Sequence, residues 1–366
     1  MGKSWNLSCN LFNKFAGLVG LLVFITSPAR LFANCDPHLR NVPDKNLGGE
    51  APAYFIPPIP SPRDDVLVAS NEATVEKLRA LLPPNPFFIP AKDAVAIANN
   101  LGLSMDQLLI TLLPLAKELS VPENYETGAP PISRYRVGVA GMTDKGDIYL
   151  GVNLEYPGLP LFSTIHGEQF LFINLFLHRE KSLRALALSA EPCGHCRQWM
   201  TEALGLENLR ILVPGKNPTT LGNLLPHSFG PANLGKAQGM LDSSPQQLVL
   251  EDEELLKKDA LHYLAYEAAE ISYTPYSNNA AGIAVELEDG SRFIGSSIEN
   301  AAFNPSVTPL HTALVAIRMA GKDPRKIARV VIAERRPFAS SSQREYTELL
   351  LESLGVKVEI SEMIIK

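Results

Sequence analysis

The order of elements legible in the first half of this chain is written again in the second half. From residue 135, alternating apolar residues and the turn Asp144-Lys145-Gly146 predict two strands, over 135–142 and 147–153. A helix over 167–177, a short apolar strand over 183–189, a helix over 194–203 and a strand over 209–213 follow. The same order returns later. Strands over 279–286 and 292–297 flank Asp289-Gly290, followed by a helix over 310–319, a strand over 327–332, a helix over 342–354 and a strand over 356–360. Gly138 and Gly282 are 144 residues apart, as are Gly151 and Gly295, and Glu155 and Glu299. Strands alternating with helices predict an α/β class, with a three-layer α/β/α core made twice and a mixed sheet in each copy.

Chemistry is concentrated in the first copy. His166-Gly167-Glu168 is answered by Pro192-Cys193-Gly194-His195-Cys196. One imidazole and two thiolates suit zinc and leave a fourth position open, where bound water becomes acidic enough to act as a nucleophile near neutral pH. Both segments fall at expected helix starts, where backbone N–H groups favour thiolate over thiol. Glu168, two residues from the histidine, is better placed to move protons than to bind metal. The bland alternatives are a solvated His-Glu pair, and a structural or redox Cys-x-x-Cys. The two halves occurring together, with a proline before the first cysteine, make the metal reading the specific one.

In the second copy a one-residue insertion would pair His166 with His311 and Pro192 with Pro337, because both gaps are 26 residues. Glu168 then becomes Ala313, Cys193 becomes Phe338 and Cys196 becomes Ser341. That copy is expected to hold no metal, so one zinc per chain is predicted.

The 366 residues suffice for two domains, and 46% hydrophobic with 20% charged residues describes a globular protein. A net charge of -6, with no basic run, argues against nucleic acid as a partner. Five segments are expected. Residues 1–35 resemble a signal peptide: Lys3 and Lys14 precede an apolar run over 15–25, and small residues follow. The run is too short for a comfortable membrane span, so no stable span is expected. Export is the predicted localisation, and a cytoplasmic enzyme with a mis-chosen start is the alternative. Residues 36–90, rich in proline, read as a linker with one short helix over 72–82. Residues 91–223 form the metal-bearing domain, beginning with two amphipathic helices. Residues 224–250 connect, and residues 251–366, opening with a helix over 251–271, form the silent copy. The remaining cysteines, Cys9 and Cys35, suggest no disulfide framework.

Five segments together resemble the long, two-core, homodimeric form of cytidine deaminase, in the zinc-dependent cytidine/deoxycytidylate deaminase family. They are Gly151-Val152-Asn153-Leu154-Glu155, His166-Gly167-Glu168-Gln169, residues 192–198, the loop from Leu225-Pro226 to Phe229-Gly230-Pro231, and residues 298–305. The signature H-x-E…P-C-x-x-C is that of zinc nucleobase deaminases. The resemblance implies hydrolytic deamination of cytidine and 2′-deoxycytidine, as in pyrimidine salvage. His166, Cys193 and Cys196 would bind zinc, and hydroxide on the metal would attack C4 with Glu168 as proton shuttle. Asn153 and Glu155 would bond the ribose 3′-hydroxyl, Tyr135 would wall the pyrimidine, and the Gly167 N–H would serve the base O2. Phe229 would help close the pocket, supplied by the partner subunit of a homodimer. Two positions depart from the pattern: 167 is glycine where alanine is common, and Ala190 replaces an aromatic seen in some members. A polynucleotide cytosine deaminase and a catalytically silent zinc module are the competing readings. The acidic charge opposes the first and the intact Glu168 opposes the second.

Overall fold

The computed structural model describes residues 71–83, 86–120, 129–242, 244–250, 254–336 and 342–366. The signal-like segment, residues 36–70, Phe338 and Ser341 lie outside these.

The described chain opens on α1 (Glu72–Leu81), which starts where the Asn71 side chain accepts from Thr74 N at 2.9 Å. The end of the expected linker is in fact built into the first core. Strand β1 (Phe88–Ile89) pairs antiparallel with the sheet edge, and Phe87 stacks on Phe170 with ring centroids 5.1 Å apart. Helices α2 (Ala91–Leu101) and α3 (Met105–Glu118) follow, separated by Gly102 in the left-handed region and capped anew by Ser104.

Next come β2 (Gly138–Met142), β3 (Ile148–Val152), α4 (Gly167–Leu177), β4 (Ala185–Leu188), α5 (Gly194–Met200), β5 (Arg210–Leu212), the two-residue edge strand β6 (Thr219–Thr220) and α6 (Leu221–Leu224). The sheet order is β1-β3-β2-β4-β5-β6, antiparallel except for β4 beside β5. Helix α3 packs on one side, against β2 and β4, and α4 packs against β3 and β2. Every residue of α4 is buried. A helix apolar on all sides needs cover on all sides. Here that cover is its own sheet, α5 and the second core. Each of its seven large apolar side chains, Phe170 to Leu177 without Asn174, contributes about 1.5–3 kcal/mol by leaving water. Asn174 is accommodated because its amide donates to Phe87 O at 3.0 Å and Leu150 O at 3.1 Å.

The second core begins with α7 (Glu254–Lys258) and α8 (Ala260–Glu270). One helix was expected over 251–271. It breaks at Asp259, whose carboxylate caps α8 by accepting from Leu261 N at 2.9 Å and His262 N at 3.2 Å. Then follow β7 (Ala281–Leu287), β8 (Arg292–Ser296), α9 (Pro309–Met319), β9 (Ile327–Arg335), α10 (Gln343–Ser353) and β10 (Ile360–Ile365). The last strand lies further along than the 356–360 expected, because its parallel pairing with β9 starts at Ile360 opposite Val330. The sheet order is β10-β9-β7-β8, the first core's β5-β4-β2-β3 over again with the same directions. The expected duplicated α/β core with mixed sheets is present.

The structure corrects the expected alignment of the copies. Hairpin residues keep the offset of 144: Gly138 faces Val152 as Gly282 faces Ser296. The helices do not follow with one residue added. Leu154 bridges Ile165 as Ile298 bridges Val307, so two residues have been lost between these points. The same offset holds within the helices. A Cβ on Gly151 would meet Gly167 O at 2.4 Å, and one on Gly295 would meet Pro309 O at 2.0 Å. Thr308 therefore stands where His166 stands, Leu310 where Glu168 stands, and Ala313 corresponds to Leu171. His311 is the counterpart of Gln169, not of His166.

That counterpart relation has a visible purpose. Gln169 Nε2 donates to Pro305 O at 3.0 Å, and His311 Nε2 is 3.0 Å from Ser163 O. Each helix thus reaches into the other core at corresponding points, making a reciprocal clasp.

Candidate active site

The cluster forms where α4 and α5 begin. His166 precedes α4 as its N-cap residue and Cys193 precedes α5 in the same way, with Cys196 one turn further in. His166 Nδ1 lies 3.3 Å from Cys196 Sγ and 3.6 Å from Cys193 Sγ, and the two sulfurs are 3.5 Å apart. Zinc bonds of about 2.3 Å to sulfur and 2.0–2.1 Å to nitrogen place tetrahedral edges at about 3.4–3.8 Å. The three atoms, 3.3–3.6 Å apart, need to open by only a few tenths of an ångström to hold a zinc ion. Among the described residues this is the one such group of three metal-capable side chains.

The electrostatics agree with a cation site. Hydrogen bonding from the Cys196 thiol and from His166 pushes the Cys193 thiol down to about 3. The Cys193 sulfur and burial push Cys196 up. Its partnership with Cys193 raises His166. A divalent cation would release the remaining protons and take both thiolates. Glu168 is buried at the second position of α4, and desolvation raises its carboxyl above the ordinary range. A carboxyl poised in this way suits general acid–base work.

Glycine at 167 has a local cause. A Cβ there would meet Val139 Cγ2 at 2.7 Å and Val137 Cγ1 at 2.8 Å. The branched valines of the neighbouring strand region fill the space an alanine methyl would need.

Tyr135, Asn153 and Glu155 are brought together, and the Glu155 charge is near enough to His166 to help raise it. Asn153 Oδ1 accepts from Val137 N at 2.9 Å, and its amide donates to Tyr135 O at 3.0 Å and Glu155 Oε1 at 3.2 Å. Glu155 Oε2 accepts from Ile132 N and Ser133 N at 2.8 and 2.9 Å. Both side chains thus fasten the loop that carries Tyr135. Glu299 fastens Tyr276 N and Ser277 N in the same way in the second core, so the device belongs to the repeat. The Tyr135 ring is half exposed.

Phe229 is not brought to the ligand cluster within this chain. Its carbonyl accepts from Gln198 Nε2 at 2.7 Å, toward the far end of α5, and its ring is exposed.

Sequence reasoning gave no role to Gln169, His195 or Glu202. Gln169 Oε1 accepts from His166 N at 3.0 Å, fixing the ligand's backbone. A glutamine three residues into a helix was the available signal. The His195 ring stacks on His166 at 5.1 Å. Glu202 had no signal, because its partners are all distant in sequence.

Fold and site together define a zinc-site α/β core of the nucleobase-deaminase class. Models of the family described as the cytidine and deoxycytidylate deaminase zinc-binding region match twice, over residues 118–211 and 221–348. A cytidine deaminase of Serratia proteamaculans is 39% identical over 275 residues, 75% of this chain and 88% of that one. Those of Pectobacterium carotovorum and Yersinia pestis are 35% and 37% identical, over 76% and 74% of this chain and 90% and 87% of theirs. The chain belongs to the cytidine and deoxycytidylate deaminase family.

Proposed function

We infer that this protein is a zinc-dependent cytidine deaminase, converting cytidine and 2′-deoxycytidine to uridine and 2′-deoxyuridine. The observation that carries this reading is the His166-Cys193-Cys196 triangle with Glu168 buried beside it. Zinc held there supplies a water acidic enough to give a nucleophile near neutral pH. Glu168, buried beside the three ligand atoms, would hold and move the proton between that water, N3 of the base and the departing ammonia. Cys193 and Cys196 hold the metal from the start of α5, so the reacting centre is tied to two helix ends rather than to a loop.

The substrate contacts extend the same proposal. Asn153 and Glu155 face the sugar 3′-hydroxyl from the end of β3, Tyr135 offers an aromatic wall, and the Gly167 N–H serves the base O2. A carboxylate beside the sugar disfavours a phosphate, so a free nucleoside is preferred over a polynucleotide, and pyrimidine salvage is the fitting role. Assay of free cytidine beside single-stranded DNA and RNA decides this. Deamination of cytidine alone is expected, and a preference for the polymers would overturn it.

A homodimer is proposed as the working form. Its support is exposed apolar surface: Leu161 is 72% exposed, Phe162 75% and Phe303 65%. Phe229 is exposed as well. Covering these in a second copy would let Phe229 close the partner's pocket. A monomer by sedimentation at micromolar concentration would contradict it. Residues 91–223 are assigned to catalysis and 251–366 to the silent copy. Export through residues 1–35 also belongs to this proposal, and N-terminal sequencing of protein recovered from culture medium tests it.

A further inference from the structure

Glu202 is a carboxylate without solvent exposure and, among the described residues, without a cationic partner. It follows directly on Thr201, the C-cap of α5. Oε1 accepts from Tyr273 Oη at 2.7 Å and Tyr276 Oη at 2.6 Å, and Oε2 accepts from Ala301 N at 2.7 Å. All three donors come from the second core. A buried carboxylate is tolerated only when its lone pairs are met by donors, and here three are supplied.

The same segment grips the helix end directly. The Asn300 amide, also fully buried, donates to Gln198 O at 3.2 Å, and its Oδ1 lies 3.4 Å from Gln198 Nε2. Gln198 O already accepts from the N–H and hydroxyl of Thr201 at the helix end, and the Asn300 amide adds a partner from the other core. Helix α5 has only seven residues. A helix so short has little stability of its own, so its position depends on what holds its two ends. One end is the metal site, with Cys193 and Cys196. The other is this cross-core grip.

We propose that Glu202 is a positioning residue through which the metal-free second core sets the helix carrying both cysteine ligands. It touches neither metal nor substrate. Its carboxylate fixes the C-terminal end of α5, and the rigid turn between passes that placement to the two sulfurs. The second core would then be retained because the zinc geometry of the first depends on it. This rests on the zinc reading of the site.

The test uses the full-length zinc-loaded protein and the double variant Tyr273→Phe/Tyr276→Phe. It removes two donors to Glu202 and leaves ring volume unchanged. Glu202→Gln is the companion variant, and zinc content of the unmutated protein is measured first. That measurement separates failure of the metal assignment from failure of this inference. Groups that orient metal ligands at one remove typically change metal affinity or activity by about 10–100-fold. Release of zinc to a chelator is therefore expected to be at least about tenfold faster in the double variant, with kcat lowered and KM for cytidine changed less than about twofold. Cobalt-substituted protein should show shifted thiolate-to-metal absorption. Unchanged zinc release, cobalt spectrum and kcat would overturn the proposal, whether or not melting temperature falls. So would a raised KM at constant kcat. Should Glu202→Gln fail to fold, the double tyrosine variant decides alone.

Discussion

Glu168 and His311 are both buried, and they serve opposite ends of the same structure. Glu168→Gln keeps the shape of the side chain but removes proton transfer. Zinc content should stay at one per chain while turnover drops by at least about 10²–10⁴-fold, the range for general acid–base groups. Near-normal turnover in the zinc-loaded variant would take the shuttle role from Glu168. His311 is buried, with Nδ1 facing the Thr308 hydroxyl at 3.0 Å and Nε2 facing Ser163 O. Burial pushes it down to about 4. A histidine whose folded value lies below its unfolded one gives its full contribution above about pH 6.5 and loses it as pH falls toward 4. The loss is about 3 kcal/mol across that window, from about 1.4 kcal/mol per unit. Gln169 makes the equivalent pair of bonds in the first core, so His311→Gln should fold and show a flatter stability profile between pH 6.5 and 4. Urea unfolding at several pH values measures this, and an unchanged slope would remove His311 as its source.

At the scale of elements, two glycines allow the helices of each copy to lie on their hairpins. Gly295→Ala would force a methyl against Pro309 O and Ala313 N, and Gly151→Ala against Gly167 O and Leu171 N. Overpacking of this kind costs about 1–3 kcal/mol, and more where backbone must move. Both variants should unfold at lower denaturant. Gly151→Ala should also lose activity, because α4 carries Glu168 and begins at His166. A Gly151→Ala protein with ordinary turnover would show that α4 is not so placed. The start of α4 was legible because the chemical motif and the helical pattern coincide at residue 167. The paired edge strands β1 and β6 were not, since two residues cannot display alternation. The slipped alignment has a specific cause. His166 and Pro192 are separated as His311 and Pro337 are, and the eye follows the shared residue types. The physical equivalence lies in the capping positions, with Thr308 and His311 standing for His166 and Gln169. The grouping of His166, Cys193 and Cys196 was legible because metal chemistry favours such a spacing. The cross-core partners of Glu202 and Gln169 were not, because only folding brings residues 71 to 136 positions apart into contact.

In the whole molecule, one core carries the His166-Cys193-Cys196 group and the other is bonded to it across a shared boundary. Helix α4 is buried on every side partly because the second core covers it, and Gln169, His311 and Glu202 all bond across the same boundary. A fragment of residues 71–242 would expose that surface and leave Glu202 without its three donors. It is expected to be poorly soluble or inactive, and a fully active fragment would show the second core to be dispensable. The central claim is tested most directly by following ultraviolet absorbance as the purified full-length protein acts on cytidine, before zinc removal, after it, and after zinc is returned. The expected result is conversion to uridine that disappears with the metal and is restored by one equivalent per chain. Equal conversion by the metal-free protein, or none by the zinc-loaded one, would contradict it.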